Sequence, residues 1–499
     1  MNRNSMMRET AYLSIISISL QGLGLLYNIF LTQKLGASSV GIFALIGSFF
    51  GLATVLSGGS GFLASSRFIS EELGCTGNPA RIFSYILRFC LLLSCSFCVL
   101  LCLIASLLTI PLHKTGASAL DIRLLALCLP LNAVNACLKG RCYAYQKVLY
   151  PAIAEGVEFL IRAGVMAFCA QFLISYGRLS LLTAFVLSML AGQIASLFFL
   201  LLIRIPQTKS TQLCSITYRK LLHLILPMLG NACLVSLLSS MNDALVPLTL
   251  LQFGSSPQEA LSQFGEFEAI IIPTLFFPSV IQCSMSGLLV PELSRARAAN
   301  DQPAIRRLTQ RVLEQTVAFS LFIVVILWMY GGTIGGVLGG NSFTGHILRI
   351  MSPVVPLIYL EIIMEGILRG LGKQNFSSLN YLAEYIVRIS VLLICVPLFG
   401  FYGIVASYLA CNLSGNAVRL FFVLRATGLR PNCKRILFYP LLSVLLASQI
   451  TRLILHLIHI SDIGNFIVFT LICGVLMLFI LRLCASFDAI EPRKYIKST

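Results

Sequence analysis

Long apolar segments are the feature that most constrains what this chain can fold into. Such segments recur along all 499 residues and are separated by short stretches that carry Lys, Arg and Gly. A helix of about 20 apolar residues spans the hydrocarbon core of a bilayer. Only 11% of the residues are charged and 57% are hydrophobic, whereas soluble proteins contain about 25% charged residues. The sequence therefore predicts an all-α membrane protein.

The pattern of apolar segments predicts about fourteen transmembrane helices. We expect them near residues 10–33, 40–65, 83–111, 121–145, 151–175, 180–203, 220–250, 264–290, 313–337, 346–370, 378–399, 402–424, 436–458 and 463–484.

The positive charges indicate the orientation of these helices. The net charge is +17, and most Lys and Arg residues fall in alternate connecting segments, as they do in cytoplasmic loops. This asymmetry predicts a multi-pass protein of the cell membrane with both termini in the cytoplasm. Because the basic residues form no continuous face or arm, we expect no nucleic-acid partner.

An internal repeat indicates how the helices are grouped. A shift of 226 residues aligns two segments without gaps, 130–166 and 356–392. The matched residues include Pro130 with Pro356, Gly140 with Gly366, Glu158 with Glu384 and Arg162 with Arg388. Both copies have the same predicted orientation, and a parallel repeat predicts two lobes related by an axis along the membrane normal.

The repeat predicts three parts of the chain. We expect an N-lobe at 1–217 with helices 1–6, a pseudo-symmetric C-lobe at 218–430 with helices 7–12, and helices 13 and 14 with a cytoplasmic tail at 431–499. Two such lobes favour transport by alternating access through a cleft between them.

Charged residues inside the predicted helices are the first candidate site residues. A charge in hydrocarbon is unfavourable by several kcal/mol, so such residues usually pair with a partner or face a cavity. Glu158 with Arg162, and Glu384 with Arg388, are spaced to lie on one helix face. They are interpreted either as structural ion pairs or as pairs that line the cleft and contact a charged headgroup.

Two carboxylates have no basic residue to offset them in the sequence. Asp243 lies deep in helix 7, next to Asn242, with no Lys or Arg one turn away. Glu361 lies one turn from Glu365, which we expect to pair with Arg369. A carboxylate without a partner tends to take up a proton or bind a cation, so Na⁺ or H⁺ is the expected coupling ion, with no other cofactor and no metal site.

Two arginines are candidate phosphate contacts, because guanidinium groups bind phosphates bidentately. They are Arg67, at the inner end of helix 2, and Arg419, in helix 12. For Arg67 the alternative is an anchor whose charged end reaches the membrane surface. The sequence contains no nucleotide-binding loop and no set of catalytic residues, which favours a transporter over an enzyme.

Several motifs resemble the stage V sporulation protein B family. They are LYNIFLTQKLGASSVGIF (26–43), SRFISE (66–71), MNDALVP (241–247), LVPELSRA (289–296) and EGILRGLGK (365–373). This family is the polysaccharide-transport branch of the superfamily that contains MATE exporters and MurJ-type lipid II flippases. The resemblance implies a V-shaped pair of six-helix bundles and the flipping of a lipid-linked peptidoglycan precursor during spore cortex formation. Asn28 stands where related chains often carry an Arg.

These observations lead to one main hypothesis and two alternatives. The main hypothesis is a flippase for a lipid-linked cell-wall or polysaccharide precursor. The first alternative is an ion-coupled exporter of cationic drugs or metabolites, and the second is a scaffold for a wall-synthesis complex. The expected partners are the lipid-linked substrate, membrane lipids and cell-wall synthesis proteins, and the expected state is a monomer.

Overall fold

The chain is helical wherever the computed structural model describes it. The described residues are 3–58, 61–74, 78–112, 118–174, 180–203, 218–456 and 461–495, and within these ranges there is no β-strand. The predicted all-α class is therefore confirmed.

Eighteen α-helices occur within the described ranges. The first nine are α1 (Arg3–Leu35), α2 (Ala37–Leu56), α3 (Gly61–Gly74), α4 (Pro79–Leu112), α5 (Ala119–Ala144), α6 (Leu149–Phe168), α7 (Leu181–Leu202), α8 (Tyr218–Phe253) and α9 (Pro257–Glu266). The other nine are α10 (Ile272–Phe276), α11 (Val280–Ala298), α12 (Gln302–Val337), α13 (Ser342–Met351), α14 (Val355–Gly370), α15 (Gln374–Phe399), α16 (Phe401–Thr427), α17 (Tyr439–His456) and α18 (Asp462–Tyr495).

Local sequence signals explain several helix ends. Ser118 and Asp121 form a reciprocal capping box at the start of α5, which satisfies backbone N–H groups that have no partner in the helix. Asn341 accepts a hydrogen bond from the backbone N–H of Thr344 and so caps α13. Gly400 has φ 58° between α15 and α16, a conformation that glycine adopts at no steric cost.

Within the described ranges, twelve helical segments are long and apolar enough to cross a membrane. They are Ile15–Leu35, Ala37–Leu73, Pro79–Ser106, Ala119–Ala144, Leu181–Leu202, Leu229–Phe253, Pro257–Ala298, Gln302–Val337, Ser342–Gly370, Phe376–Phe399, Lys434–His456 and Asp462–Cys484. Each overlaps one of the fourteen predicted helices, and the chain is a multi-pass membrane protein.

The two remaining predicted helices, 151–175 and 402–424, do form, as α6 and α16. They are not among the twelve segments, and both carry polar side chains inside the helix. Glu155, Glu158 and Arg162 lie in α6, and Asn412, Asn416 and Arg419 lie in α16. Both helices belong to the internal repeat.

The contacts divide the chain into two compact units. Unit 1 comprises Met1–Pro247 with Pro257–Gly265, and unit 2 comprises Leu248–Ser256 with Glu266–Thr499. Residue 217, the predicted end of the N-lobe, lies outside the described residues, and the three-part division at 217 and 430 stays a prediction.

The repeat is visible in the packing inside each unit. In unit 1, α6 packs on α7, and in unit 2, α15 packs on α16. A Cβ added at Gly140 would collide with α3, where it would lie 2.9 Å from Cβ of Ser65, and a Cβ added at Gly366 would lie 3.1 Å from Cβ of Ser286 on α11. The two repeat-related glycines therefore permit the same kind of close helix crossing.

A second close approach lies in unit 1, between α2 and α9. A Cβ added at Gly265 would collide with the carbonyl oxygen of Ala37 and lie 2.7 Å from the backbone nitrogen of Gly41. A Cβ added at Gly41 would in turn collide with the carbonyl oxygen of Leu261. The backbones of these two helices touch because both positions lack a side chain.

Candidate functional site

Unit 1 contains a partly buried cluster of polar side chains that we name the first polar centre. It consists of Asn135 and Lys139 on α5, Glu155 and Glu158 on α6, and Gln193 on α7.

Glu158 is the acceptor at the middle of this centre. The Lys139 Nζ lies 3.4 Å from Oε2 of Glu158 and 3.6 Å from Oε1 of Glu155. The side-chain amide of Gln193 donates to Oε1 of Glu158 at 2.8 Å. Asn135 in turn donates to the side-chain oxygen of Gln193 at 2.8 Å. The chain of donors crosses three helices, so the centre ties α5, α6 and α7 together.

Arg162 does not form the ion pair with Glu158 that its spacing suggests. Glu158 pairs with Lys139 of the neighbouring helix instead. No described residue forms an ion pair with Arg162, whose guanidinium carbon lies 5.6 Å from the ring centroid of Phe159. The interpretation of Glu158 and Arg162 as a pair within one helix is therefore wrong.

Unit 2 contains a second polar centre at the repeat-related position. Its members are Glu361 on α14, Asn380, Tyr381 and Glu384 on α15, and Arg419 on α16.

Arg419 is the organising residue of the second polar centre. Its side chain is 0% exposed, and its guanidinium donates to both carboxylate oxygens of Glu384, at 2.5 and 2.9 Å. The same guanidinium lies 3.3 Å from Oε1 of Glu361 and 4.6 Å from the ring centroid of Tyr381. Asn380 donates to Glu384 at 2.8 Å. A bidentate pair with extra donors offsets part of the large desolvation free energy of its charges.

Four expectations about unit 2 can be compared with the structure. Glu361 has a partner, Arg419, so the expectation of an unpaired carboxylate is wrong. Arg388 lies 3.7 Å from the ring centroid of Tyr408 and does not form an ion pair with Glu384. The Glu365–Arg369 ion pair is present, at 3.0 Å. Because Arg419 is enclosed by two carboxylates, a phosphate would have to displace one of them to reach it.

Asp243 lies in unit 1, where α8 meets α2. The Ser48 hydroxyl donates to Oδ2 of Asp243 at 2.7 Å, and the Asn242 amide donates to its Oδ1 at 3.1 Å. Ser240 donates to the carbonyl oxygen of Ser48 at 3.0 Å. Among the described residues, none forms an ion pair with Asp243, and the buried Oδ1 of Asn242 has no hydrogen-bond donor.

The remaining two candidates are less enclosed. Arg67 forms an ion pair with Glu71 at 2.9 Å, and the two side chains are 58% and 46% exposed. Asn28 is half-buried on α1, and its carbonyl accepts a hydrogen bond from Thr32. The structure therefore places six of the candidates in three places: Glu158 in the first polar centre, Glu361, Glu384 and Arg419 in the second, and Asn242 with Asp243 on α8. Arg67 lies exposed in the middle of α3.

Several site residues were missed by sequence reasoning. Lys139, Gln193 and Asn380 complete the two polar centres. The repeat contained a signal for Lys139, because a shift of 226 residues aligns it with Glu365, a charged residue of the second copy, and aligns Asn135 with Glu361.

Glu266, a residue of unit 2, is only 6% exposed. It accepts hydrogen bonds from Thr344 at 2.5 Å and from Asn341 at 2.9 Å. It therefore binds the start of α13 within unit 2, and no feature of the sequence indicated that contact.

Comparison with solved structures defines the class of fold. The chain resembles a lipid II flippase MurJ in an inward closed conformation, with TM-score 0.67 and 16% identity over 97% of this chain and 100% of that chain. It resembles an inward-facing multidrug-resistance MATE transporter with TM-score 0.63 and 14% identity over 83% of this chain and 98% of that chain. The fold is that of the MATE and MurJ superfamily.

Comparison with curated sequences is more specific. The chain is 21% identical to stage V sporulation protein B of Bacillus subtilis (strain 168) over 416 residues, which are 81% of this chain and 80% of that protein. A shorter match, 24% identical over 137 residues, covers 26% of this chain and 30% of the multidrug export protein MepA of Staphylococcus aureus. No protein-family model matches the chain. The predicted resemblance to stage V sporulation protein B is confirmed.

Proposed function

We propose that this protein is a membrane flippase that moves a lipid-linked cell-wall or polysaccharide precursor, of the lipid II kind, by alternating access. Support comes from the match to stage V sporulation protein B over 81% of the chain and from the MurJ-like fold. The protein acts as a transporter, as a monomer and with both termini in the cytoplasm. Cell-wall synthesis proteins are its functional partners.

The observation in the structure that carries a transport role is Asp243. It is a carboxylate within the membrane-spanning segment Leu229–Phe253, and among the described residues its hydrogen-bond donors are the neutral side chains of Ser48 and Asn242. A charged group inside a membrane is unfavourable and is usually retained for a functional reason. Asp243 is positioned to bind the coupling Na⁺ or H⁺, and the unfilled Oδ1 of Asn242 supplies a second acceptor.

Reconstitution in liposomes tests this proposal. Purified protein is compared with Asp243→Asn and Ser48→Ala for the flipping of a labelled lipid-linked precursor, with and without a sodium or proton gradient. We expect the gradient dependence to be lost in Asp243→Asn and weakened in Ser48→Ala. Asp462→Asn, an exposed carboxylate in the first turn of α18, is the matched control and should behave as the original protein does.

The alternative function is export of cationic drugs or metabolites, coupled to the same ions. The unpaired Asp243 suits a cationic substrate as well as a coupling ion, and the partial match to MepA points the same way. A labelled cationic dye in the same liposomes separates the two functions. Dye transport without precursor flipping would replace the leading proposal with this alternative.

A further inference from the structure

A cavity of about 360 Å³ opens beside the first polar centre, within unit 1. Its lining residues are Leu20 on α1, Lys139 on α5, and Glu155, Glu158, Phe159 and Arg162 on α6. Small-molecule sites in proteins have volumes of roughly 300–1,000 Å³. The cavity is large enough for a polar headgroup, and its wall combines charged groups with two apolar side chains.

The end of the cavity at Arg162 lacks an acceptor. The Nε of Arg162 is buried without a hydrogen-bond partner. Among the described residues none forms an ion pair with Arg162, so the guanidinium that lines the cavity has no counter-charge there. An anion in the cavity supplies that counter-charge and accepts charge-assisted hydrogen bonds from the guanidinium.

The other end of the cavity carries an excess of negative charge. Lys139 is shared between Glu155 and Glu158, so two carboxylates are offset by one ammonium group. The Glu155 side chain is 57% exposed and can receive a cationic group. The cavity is therefore dipolar, with a cation-accepting end at Glu155 and Glu158 and an anion-accepting end at Arg162.

The spacing of the two ends restricts the ligand. Glu158 and Arg162 are one helical turn apart, a rise of about 6 Å along α6. This rise is comparable with the separation of the ammonium and phosphate groups in phosphoethanolamine. Leu20 and Phe159 provide apolar surface for the carbon atoms that adjoin the phosphate.

We propose that this cavity binds a zwitterionic headgroup of the phosphoethanolamine type, with the phosphate on Arg162 and the ammonium on Glu155 and Glu158. The site is separate from Asp243 and does not depend on which molecule is transported. The same pair of groups could come from a membrane phospholipid or from an amine-bearing lipid-linked precursor.

The repeat supplies a matched control. Arg388 occupies the position of Arg162 in unit 2, and its Nε also lacks an acceptor. Its guanidinium, however, lies 3.7 Å from the ring centroid of Tyr408. An Arg388→Gln variant removes the same charge from the related helix without removing the proposed phosphate contact.

Native mass spectrometry of the purified, delipidated full chain tests the proposal. The probes are phosphatidylethanolamine, phosphatidylglycerol, which lacks the amine, and phosphatidylcholine, whose quaternary amine cannot donate a hydrogen bond. We expect phosphatidylethanolamine to be retained about 10-fold better than either. Arg162→Gln should lower that retention about 10-fold, as expected for loss of a charge-assisted hydrogen bond, and Arg388→Gln should leave it unchanged.

A further variant protects the test against misfolding. Glu155→Gln changes only an exposed side chain and should lower the preference for phosphatidylethanolamine several-fold. Size-exclusion chromatography verifies the fold of each variant. Equal binding of the three lipids, or equal retention by Arg162→Gln and Arg388→Gln, would overturn the proposal.

A competition experiment identifies the source of the headgroup. If soluble glycerophosphoethanolamine displaces the lipid and a labelled lipid-linked precursor does not, the site belongs to a membrane phospholipid. If the precursor displaces the lipid and Arg162→Gln also slows its flipping, the same site holds the transported molecule. Displacement by neither would overturn the proposal.

Discussion

The two polar centres are copies of one arrangement that differ in the source of the positive charge. In both, a glutamate on the middle helix of the repeat lies against a glycine of the next helix, Glu158 at Gly192 and Glu384 at Gly415. In the first centre the cation is Lys139 on α5, at 3.4 Å. In the second it is Arg419 on α16, at 2.5 Å. In these last helices of the repeat a shift of 223 residues aligns Gly192 with Gly415, and the same shift matches Arg419 with Ser196.

The difference shows which part of the repeat is constrained. The glutamate and the glycine beside it are the same in both centres. The cation comes from the helix before the glutamate in the first centre and from the helix after it in the second. The second centre is also more enclosed, since the side chains of Arg419 and Glu384 are 0% and 8% exposed, against 16% and 19% for Lys139 and Glu158. We therefore expect the second centre to contribute more to stability and the first to be more open to ligands.

Removal of Arg419 should have the largest effect on the free energy of unfolding. Arg419→Leu leaves Glu361 and Glu384 without a counter-charge, and breaking a buried pair in this way destabilises by about 3–5 kcal/mol. Denaturant unfolding in detergent measures the change. The double variant Arg419→Leu with Glu384→Leu should recover a large part of the loss, and Ser196→Ala should have a small effect. A single variant as stable as the double variant would contradict the assignment of Arg419 as the organising residue.

A methyl group at Gly415 should have the next largest effect on the free energy of unfolding. A Cβ there would collide with the Glu384 carboxylate, so Gly415→Ala should destabilise by about 2 kcal/mol. Because the collision moves Glu384 away from Arg419, the effect should shrink when Arg419 and Glu384 are both leucine.

Gly192 is the matched control for Gly415. A Cβ at Gly192 meets the backbone oxygen of Glu158 at 2.8 Å, so its effect should not depend on Lys139. Double-mutant cycles measure how the effect of each glycine substitution on the free energy of unfolding depends on the neighbouring charges, at Gly415 in unit 2 and at Gly192 in unit 1. Equal coupling energies in the two units would contradict the expected difference between these glycines.

Removal of Lys139 should have a smaller effect than removal of Arg419. Glu155 is largely exposed, and Glu158 keeps its hydrogen bond from Gln193. We expect Lys139→Met to destabilise by about 1–2 kcal/mol, between the values for exposed and buried pairs. The same unfolding measurement applies. A loss as large as that in Arg419→Leu would show that the two centres are energetically equivalent.

Removal of the exposed ion pair of Arg67 and Glu71 should have the smallest effect on the free energy of unfolding. It serves as the reference for the other variants. Exposed ion pairs contribute about 0–1 kcal/mol, so Arg67→Gln should unfold within about 1 kcal/mol of the original protein. A strong loss of precursor flipping in this stable variant would support Arg67 as a substrate contact. Unchanged flipping would leave it as a surface anchor.

Much of the fold could be predicted from the sequence because a bilayer imposes length and polarity on each helix. The spans and the repeat followed from hydropathy and from the matched Glu158 and Glu384. Asp243 was recognised as unpaired because no basic residue lies one turn away on its own helix, and none pairs with it from another helix among the described residues.

The partners of the buried charges could not be predicted in the same way. The spacing of Glu158 and Arg162 suggests a pair within α6, but Lys139 from α5 takes that place. Glu361 looked unpaired because Arg419 lies 58 residues further along the chain. Helix packing decides which charges meet, and spacing within one helix describes only the neighbours on that helix.

The touching backbones of α2 and α9 have a practical consequence. Gly41 and Gly265 leave no room for even one additional carbon atom between the two helices. An alanine at either position would therefore act as a wedge that adds neither charge nor polarity. Such a variant would separate these helices by steric means alone, which makes it a clean tool for asking whether their contact must break during the transport cycle.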